Sequence, residues 1–189
     1  CVFRLFFLDL SERVGDQSEQ ECDPAPILAE IFEVCTKHDC VVHDQAPESM
    51  ARLVALGATD SASLQEFVDR LAVPRTIWLM VPAAVVDTVL EKLTPLLSPG
   101  DIVIDGGNSY YHDDLRRAKA LATLNLAYMD VGTSGGVAGL ERGYCLMIGG
   151  TQESVQHLAP VFTTLAPGPG SVAPTPGRAP GRGSADQGW

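Results

Sequence analysis

The sequence predicts an α/β protein with a Rossmann-like, doubly wound and mostly parallel sheet that has helices on both faces. Short apolar runs alternate along the chain with longer segments whose apolar residues recur at helical spacing, the pattern of consecutive βα units. Two apolar runs, 104–109 and 131–136, stop abruptly in small, polar and flexible residues. Buried strands end this way in loops that can touch a ligand closely. The hydrophobic fraction of 46% supports a sizeable core.

Residues 24–166 contain the predicted domain, and residues 1–23 form an atypical N-terminal segment that the pattern does not assign. Strands are predicted at 40–44, 76–81, 102–105, 126–131 and 145–148. Helices are predicted at 24–37, 50–56, 64–71, 85–97, 115–122 and 155–162. Ser63 and Glu66 have the spacing of a capping box. The tail 167–189 holds six Gly and five Pro residues, which predicts a linker or a frayed end.

Charge and composition exclude several classes of partner. The net charge of −11 argues against nucleic acid and anionic membranes, although backbone N–H groups can still bind a small phosphorylated ligand. No apolar run approaches the roughly 20 residues that span a bilayer, and the apolar start has no signal-peptide cleavage pattern. The five cysteines are odd in number and include no C-x-x-C pair, so a reduced, cytoplasmic setting is predicted.

Asp44 lies where a second strand is predicted to end. In dinucleotide-binding folds an acidic residue there accepts hydrogen bonds from the adenosine ribose and repels a 2′-phosphate. The next residue, Gln45, is not an arginine that could neutralise this phosphate, so NAD is favoured over NADP. A turn aspartate without a ligand is the equally open alternative.

The glycine-rich phosphate loop expected about 20 residues before this aspartate is missing. Counted back from Asp44, its place is held by Glu21-Cys22-Asp23-Pro24-Ala25-Pro26. This segment has no glycine, two carboxylates and two prolines without N–H groups, so it should repel a pyrophosphate. We therefore expect NAD affinity to be millimolar or unmeasurable.

Three further loops offer candidate binding residues. Val81, Pro82 and Ala83 end a strand and could line the adenine or nicotinamide, or they simply stop the strand. The Asn108 amide can donate to and accept from a hydroxyl-rich ligand. Ser134-Gly135-Gly136 adds a hydroxyl and consecutive N–H groups able to form an anion-binding nest. Each is an ordinary turn when taken singly, but the last two, separated by one helix and one strand, together favour a site.

A metal site is not predicted. Cys35, His38, Cys40 and His43 form a C-x2-H-x-C-x2-H pattern, but this spacing matches no standard structural zinc motif. A helix end followed by a strand would point these side chains in different directions. Core cysteines and surface histidines are the expected outcome.

Several long runs together resemble the decarboxylating 6-phosphogluconate dehydrogenases, especially their shorter bacterial form. The resemblance extends from about residue 39 to 177 and is carried by 78–83, 104–111, 116–121, 130–136 and 139–150. The last run, Gly-Leu-Glu-Arg-Gly-Tyr-Cys-Leu-Met-Ile-Gly-Gly, is long and specific. The wider β-hydroxyacid dehydrogenases share the Ser-Gly-Gly element but usually lack Asp-Gly-Gly-Asn-Ser.

The resemblance implies NAD(P)-dependent oxidation of the substrate C3 hydroxyl, then loss of CO2 to give ribulose 5-phosphate. By the family pattern the sugar acid would contact Asn108, Ser134, Gly135 and Gly136. The cofactor would lie along Asp44, Gln45, Val81, Pro82, Ala83 and Asn108. Family enzymes use a Lys as general base and acid and a Glu as second acid, both on a helix beyond the interdomain connection. A homodimer is expected for the full-length family only.

Both ends of the chain depart from this pattern, which predicts a domain truncated at both ends. The three lysines, Lys37, Lys92 and Lys119, do not match the catalytic position, so the chain is expected to contain no catalytic residue and to be inactive alone. The tail 167–189 would begin the connection to a missing helical domain. A non-catalytic module that has lost dinucleotide binding, another β-hydroxyacid dehydrogenase and a generic α/β interaction domain remain the alternatives.

Overall fold

A seven-stranded sheet forms the centre of the molecule in the computed structural model, which describes residues 4–9, 38–44, 46–135, 138–169, 177 and 183–189. The strand order is β3-β2-β1-β4-β5-β6-β7. The strands are β1 (Arg4–Asp9), β2 (Asp39–Asp44), β3 (Thr59–Asp60), β4 (Thr76–Leu79), β5 (Ile102–Asp105), β6 (Ala127–Ser134) and β7 (Cys145–Gly149). Every pair is parallel except β6 with β7, which is antiparallel. The first six positions reproduce the order of dinucleotide-binding folds.

Six helices connect or follow the described strands. They are α1 (Pro47–Ala55), α2 (Leu64–Asp69), α3 (Val86–Leu93), α4 (Tyr111–Ala122), α5 (Gly139–Arg142) and α6 (Gln152–Leu165). Short 3-10 turns occur at Ala83–Val85, Thr94–Leu96 and Gly183–Asp186. The capping box of α2 is confirmed, because the Glu66 N–H donates to the Ser63 hydroxyl at 3.1 Å. The Glu66 carboxylate in turn accepts from the Ala62 N–H at 2.8 Å, one residue ahead of the usual partner.

Helices cover both faces of the sheet, as predicted. Alternate residues of each strand point to opposite faces, so Trp78 and Ile104 enter one core and Ile77 and Val103 the other. The first core is completed by α1 and α6, whose Phe162 ring lies 6.3 Å from that of Trp78. The second is completed by α2, α3 and α4. The Rossmann-like fold is therefore confirmed.

Several elements differ from the prediction. Residues 4–9 form β1 in the middle of the sheet, so the sheet reaches ahead of residue 24, where the sequence pattern placed the start of the domain. The predicted helix 24–37 and the polar segment after Ser11 lie outside the described residues. No helix in the described part of the chain is long and apolar enough to cross a bilayer.

The prediction of a frayed end is wrong for residues 183–189. The Leu146 N–H of β7 donates to the Gly188 carbonyl at 2.8 Å, and the Trp189 ring lies 5.7 Å from the Phe162 ring. The Gly168 N–H also donates to the Gln187 carbonyl at 2.9 Å. The end of the chain therefore packs against the core despite its Gly/Pro-rich composition, because one aromatic residue anchors it.

Candidate functional site

The carboxyl ends of the parallel strands lie at one edge of the sheet and carry the candidate residues. β1 lies between β2 and β4, so the chain reverses its direction of sheet growth there. Such a switch point leaves a crevice outside the strand ends, where open α/β sheets bind ligands. Asp44 ends β2, Pro82 follows β4, Asn108 follows β5 and Ser134 ends β6. The fold thus brings these four predicted positions to the same edge.

Asp44 is half-buried at the end of β2 and shapes the turn that follows it. Its Oδ1 accepts the Ala46 N–H at 2.7 Å, an Asx-type turn. The preceding His43 ring nitrogen lies 3.1 Å from the Ser61 carbonyl, which ties β2 to the segment after β3. A cavity of about 450 Å³ opens beside Asp44 and is also lined by Met50. Gln45 lies outside the described residues.

The phosphate loop belongs directly after β1, earlier than the count back from Asp44 placed it. Asp9 and Asp44 are register partners, so β1 ends beside the candidate ribose-binding aspartate. Rossmann folds carry the glycine-rich turn at this point. Residues 10–37 lie outside the described residues, but Gly15 is the only glycine between Asp9 and Asp44. The expectation that the fingerprint is absent does not depend on which count is used.

The loop after β4 presents only part of the predicted surface. Val81 is 3% exposed and packs in the core, whereas Pro82 and Ala83 are exposed at the start of a 3-10 turn. The Val81 carbonyl faces the next loop, where a Cβ on Gly107 would lie 2.7 Å from it. A residue larger than glycine at 107 would therefore collide with backbone.

Asn108 is exposed on a loop that is held by hydrogen bonds to the buried residue Asp105. Asp105, at the end of β5, is completely buried. Its Oδ1 accepts the Gly107 N–H at 2.9 Å and its Oδ2 accepts the Ser109 hydroxyl at 2.7 Å. The Gly106 N–H donates to the Leu79 carbonyl at 2.9 Å. The loop therefore presents the Asn108 side chain to solvent on a backbone held at both sides.

Asp105 belongs to a buried polar cluster that the sequence pattern did not reveal. The Tyr128 hydroxyl lies 3.1 Å from Asp105 Oδ2 and 3.0 Å from Asp114 Oδ1. Arg117 Nη1 lies 3.4 Å from Asp105 Oδ2 and 3.2 Å from Asp114 Oδ1. Burial, followed by the charge of Asp105, raises the pKa of Asp114 above its ordinary value, despite hydrogen bonds that lower it. A tyrosine within a strand and an arginine on a helix are only recognisable as partners once the fold pairs them.

Asp130 extends this acidic region on the neighbouring strand. It is the register partner of Asp105 in the β5–β6 pair. Burial, then the charges of Asp114 and Asp105, raises the pKa of the Asp130 carboxyl. Asp105 and Asp130 lie on adjacent strand ends and Asp114 on the helix beside them, so the nearby negative charges add to burial in making ionisation of Asp114 and Asp130 less favourable.

The loop after β6 rests on a buried aromatic ring. Ser134 and Gly135 are exposed, and Gly136 lies outside the described residues. Tyr144 is completely buried, and a Cβ on Gly139 would collide with its ring. Gly135 has φ +151° and a Cβ there would lie 3.1 Å from Tyr144 Cδ1. The glycines of this stretch thus serve close packing on Tyr144, which sequence analysis recognised only as part of a family-like run.

The two described lysines lie away from the strand-end edge, and the two histidines of the Cys/His pattern face different partners. Lys92 and Lys119 lie in the last turns of α3 and α4, at the opposite end of helices that begin near the site. His38 lies 3.1 Å from the Thr164 hydroxyl, and His43 faces the Ser61 carbonyl. Within the described ranges no group of three or more potential ligands could hold a metal ion.

The sheet order and the polar loops at its switch point define a dinucleotide-binding α/β domain of the dehydrogenase type. The family model described as the NAD binding domain of 6-phosphogluconate dehydrogenase matches residues 30–173. The chain belongs to this family. The match begins at residue 30. It therefore does not include β1 or the residues directly after β1, where the phosphate loop is expected.

Curated relatives carry the same name. The chain is 45% identical over 133 residues to the NAD(+)-dependent, decarboxylating 6-phosphogluconate dehydrogenase of Haloferax volcanii, covering 70% of this chain and 44% of that protein. It is 40% identical over 129 residues to the putative 6-phosphogluconate dehydrogenase YqeC of Bacillus subtilis, covering 68% and 43%. The chain thus spans less than half the length of these relatives.

Solved structures share the fold at low sequence identity. A 3-hydroxyisobutyrate dehydrogenase from Mycobacterium tuberculosis superposes with a TM-score of 0.73 at 19% identity, covering 88% of this chain and 53% of that one. A Plasmodium falciparum 6-phosphogluconate dehydrogenase superposes with a TM-score of 0.67 at 21% identity, covering 87% and 34%. These likenesses establish the fold of the chain and not its substrate.

Proposed function

We propose that the chain supplies the cofactor-facing and sugar-acid-facing surfaces of a 6-phosphogluconate dehydrogenase. The reaction is oxidative decarboxylation of 6-phosphogluconate to ribulose 5-phosphate with NAD(P). The observation that supports this best is the pair of loops at 105–109 and 134–135, exposed at the ends of neighbouring strands in a family-matched sheet. We place the reaction in the cytoplasm, in line with the cysteine pattern.

On this proposal the sugar acid contacts Asn108, Ser134, Gly135 and Gly136. The Asn108 amide pairs with substrate hydroxyls, since it can donate and accept at once. Ser134 and the N–H groups after it hold the carboxylate or a developing negative charge. The rigid support of both loops keeps these groups in position before the ligand arrives.

The cofactor is proposed to lie along Asp44, Gln45, Val81, Pro82, Ala83 and Asn108. The half-buried Asp44 carboxylate at the end of β2 fits the adenosine ribose and favours NAD over NADP. The buried Val81 side chain limits that residue to a main-chain contact. NAD, when bound, accepts the hydride from C3. The pyrophosphate is the part of the cofactor that this chain holds weakly, because the glycine fingerprint is missing from its sequence.

We expect the chain alone to show no 6-phosphogluconate-dependent reduction of NAD above background. The described lysines, Lys92 and Lys119, lie away from the strand-end edge, so neither of them can act as the base for the C3 hydroxyl there. A full-length family enzyme would supply the base from its second domain and act as a homodimer. Turnover that is lost on replacing Lys92 or Lys119 would refute this part of the proposal.

Binding is tested by titrating ¹⁵N-labelled protein with 6-phosphogluconate and following the amide signals by NMR. Signals of residues 107–109 and 134–135 should shift with a millimolar midpoint, and Asn108→Ala should weaken the response several-fold. Inorganic phosphate and gluconate are the matched control ligands, since each carries part of the substrate. Shifts confined to other strands would sink the proposed substrate site.

Another β-hydroxyacid substrate is the second candidate, because the wider β-hydroxyacid dehydrogenases share the Ser-Gly-Gly element found here at 134–136. The same NMR titration with 3-hydroxyisobutyrate separates the two. Stronger shifts at Asn108 with this smaller acid would favour the second candidate. The Asp-Gly-Gly-Asn-Ser sequence at 105–109 favours the sugar acid.

A further inference from the structure

The Asn108 loop is fixed by a carboxylate that has support of its own. Asp105 uses one oxygen for the Gly107 N–H and the other for the Ser109 hydroxyl. Both bonds lie within the loop and set its shape, while the sheet sets the position of the Asp105 backbone beside β6. The carboxylate itself is held by Tyr128 on β6 and Arg117 on α4, which both reach Asp105 Oδ2.

Tyr128 is the more informative of these two supports. Its side chain is almost completely buried, and its hydroxyl lies between Asp105 Oδ2 at 3.1 Å and Asp114 Oδ1 at 3.0 Å. A phenol has one hydrogen to donate, so two ionised carboxylates cannot both be satisfied by it. Burial raises the pKa of Asp114, so its carboxyl takes up a proton more readily than an ordinary aspartate. With Asp114 protonated, the Tyr128 hydrogen is available to Asp105, the carboxylate that holds the loop.

We propose that Tyr128 and Arg117 are positioning residues for Asn108, acting through Asp105 to fix the substrate-facing loop. This inference rests on the proposed function, because it assigns Asn108 to the sugar acid. Neither residue touches the ligand. Arg117 also donates to Asp87 at 2.8 Å, so the loop is linked through α4 to α3. The cluster therefore couples three elements of the fold to one exposed amide.

The test compares the wild-type chain with Tyr128→Phe, which removes only the hydroxyl. Amide hydrogen exchange at Gly107, measured by NMR against Ile104 in β5 as internal reference, reports whether the loop is still held. We expect Gly107 exchange to accelerate roughly tenfold relative to Ile104, as a bond to a charged group is lost. The 6-phosphogluconate midpoint at Asn108 should rise at least several-fold.

Two further variants make the result specific. Ser63→Ala, at the distant N-cap of α2, lowers stability without touching the cluster and should change neither readout. Ser109→Ala removes the loop's own bond to Asp105 and should reproduce both changes if Tyr128→Phe does not fold. Unchanged Gly107 exchange, or faster exchange with unchanged ligand affinity, would overturn the positioning role. Absence of any wild-type response to 6-phosphogluconate would overturn the proposed function itself, whatever Gly107 shows.

Discussion

Two aspartates face Arg117 from different depths, and their pKa values move in opposite directions. Asp87, whose side chain is 48% exposed, accepts from Arg117 at 2.8 Å and from Arg116 at 2.7 Å, and these hydrogen bonds lower its pKa. Asp114, 7% exposed, has its pKa raised, first by burial. Hydrogen bonding to the charged form prevails at the surface, and desolvation prevails inside.

The two residues therefore make opposite contributions to stability as pH changes. Asp114 binds its proton more tightly in the folded state, so the stability it contributes is present at low pH and is lost as pH rises through its raised pKa. We expect the difference in unfolding free energy between wild type and Asp114→Asn to shift in favour of the variant from acidic to neutral pH. Urea unfolding across that range measures it.

Asp87→Asn is the control, because its effect on the unfolding free energy should change with pH in the opposite direction. The stability that Asp87 contributes is present above roughly pH 4 and is lost as pH falls through its lowered pKa. Its variant should therefore gain on wild type as the solution is acidified. If Asp114→Asn showed the same direction as Asp87→Asn, the raised pKa of Asp114 would be contradicted.

The exposed residues of the site could be predicted at this scale, but their supports could not. Asn108 and Ser134 stand out in the sequence because polar and small residues interrupt apolar runs. The supporting residues come from three different elements: Asp105 from β5, Arg117 from α4 and Tyr128 from β6. Local periodicity does not show which residues of distant elements contact each other in the fold. The residue roles at Asp44, Asn108 and Ser134 remain predictions.

Helix α2 provides a direct test of local sequence rules at the scale of one element. It is six residues long, so its end groups make up much of its backbone bonding. Ser63→Ala should destabilise the protein by about 1 kcal/mol, since the Glu66 N–H loses its acceptor. Ser63→Asp, another good N-cap, should retain most of the stability in urea unfolding. Equal losses in both variants would contradict the capping role.

Element types were predicted well because buried strands and amphipathic helices have distinct periods. The directions of the strands within the sheet could not be predicted in the same way. Nothing local in the run from Cys145 to Ile148 indicates that β7 lies antiparallel to β6. The chain turns after α5 at Gly143, whose φ is +80°, and the completely buried Tyr144 directly precedes the strand. β1 was missed because an apolar run that contains Arg4 is ambiguous on its own.

At the scale of the whole molecule, residues 183–189 pack against the first core through Trp189. The Trp189 N–H donates to the Ser184 carbonyl at 3.2 Å. Trp189→Ala should reduce the free energy of unfolding by about 2 kcal/mol, because a half-buried indole leaves a gap beside Phe162. Trp189→Phe should lose less, since an aromatic ring remains. An unchanged urea midpoint for the alanine variant would mean that residues 183–189 do not contribute to the folded core.

The central claim concerns how this domain treats its two proposed ligands: loops that we propose contact a sugar acid, and a cofactor edge for which the sequence provides no glycine-rich fingerprint. The fold class was predictable from sequence, because buried strands and amphipathic helices have distinct periods, whereas the location of the site stays a prediction. The most direct test is calorimetric titration of the chain with NAD and with NADP. We predict NAD binding in the millimolar range or below detection, with NADP no tighter. Micromolar binding of either dinucleotide would contradict the account.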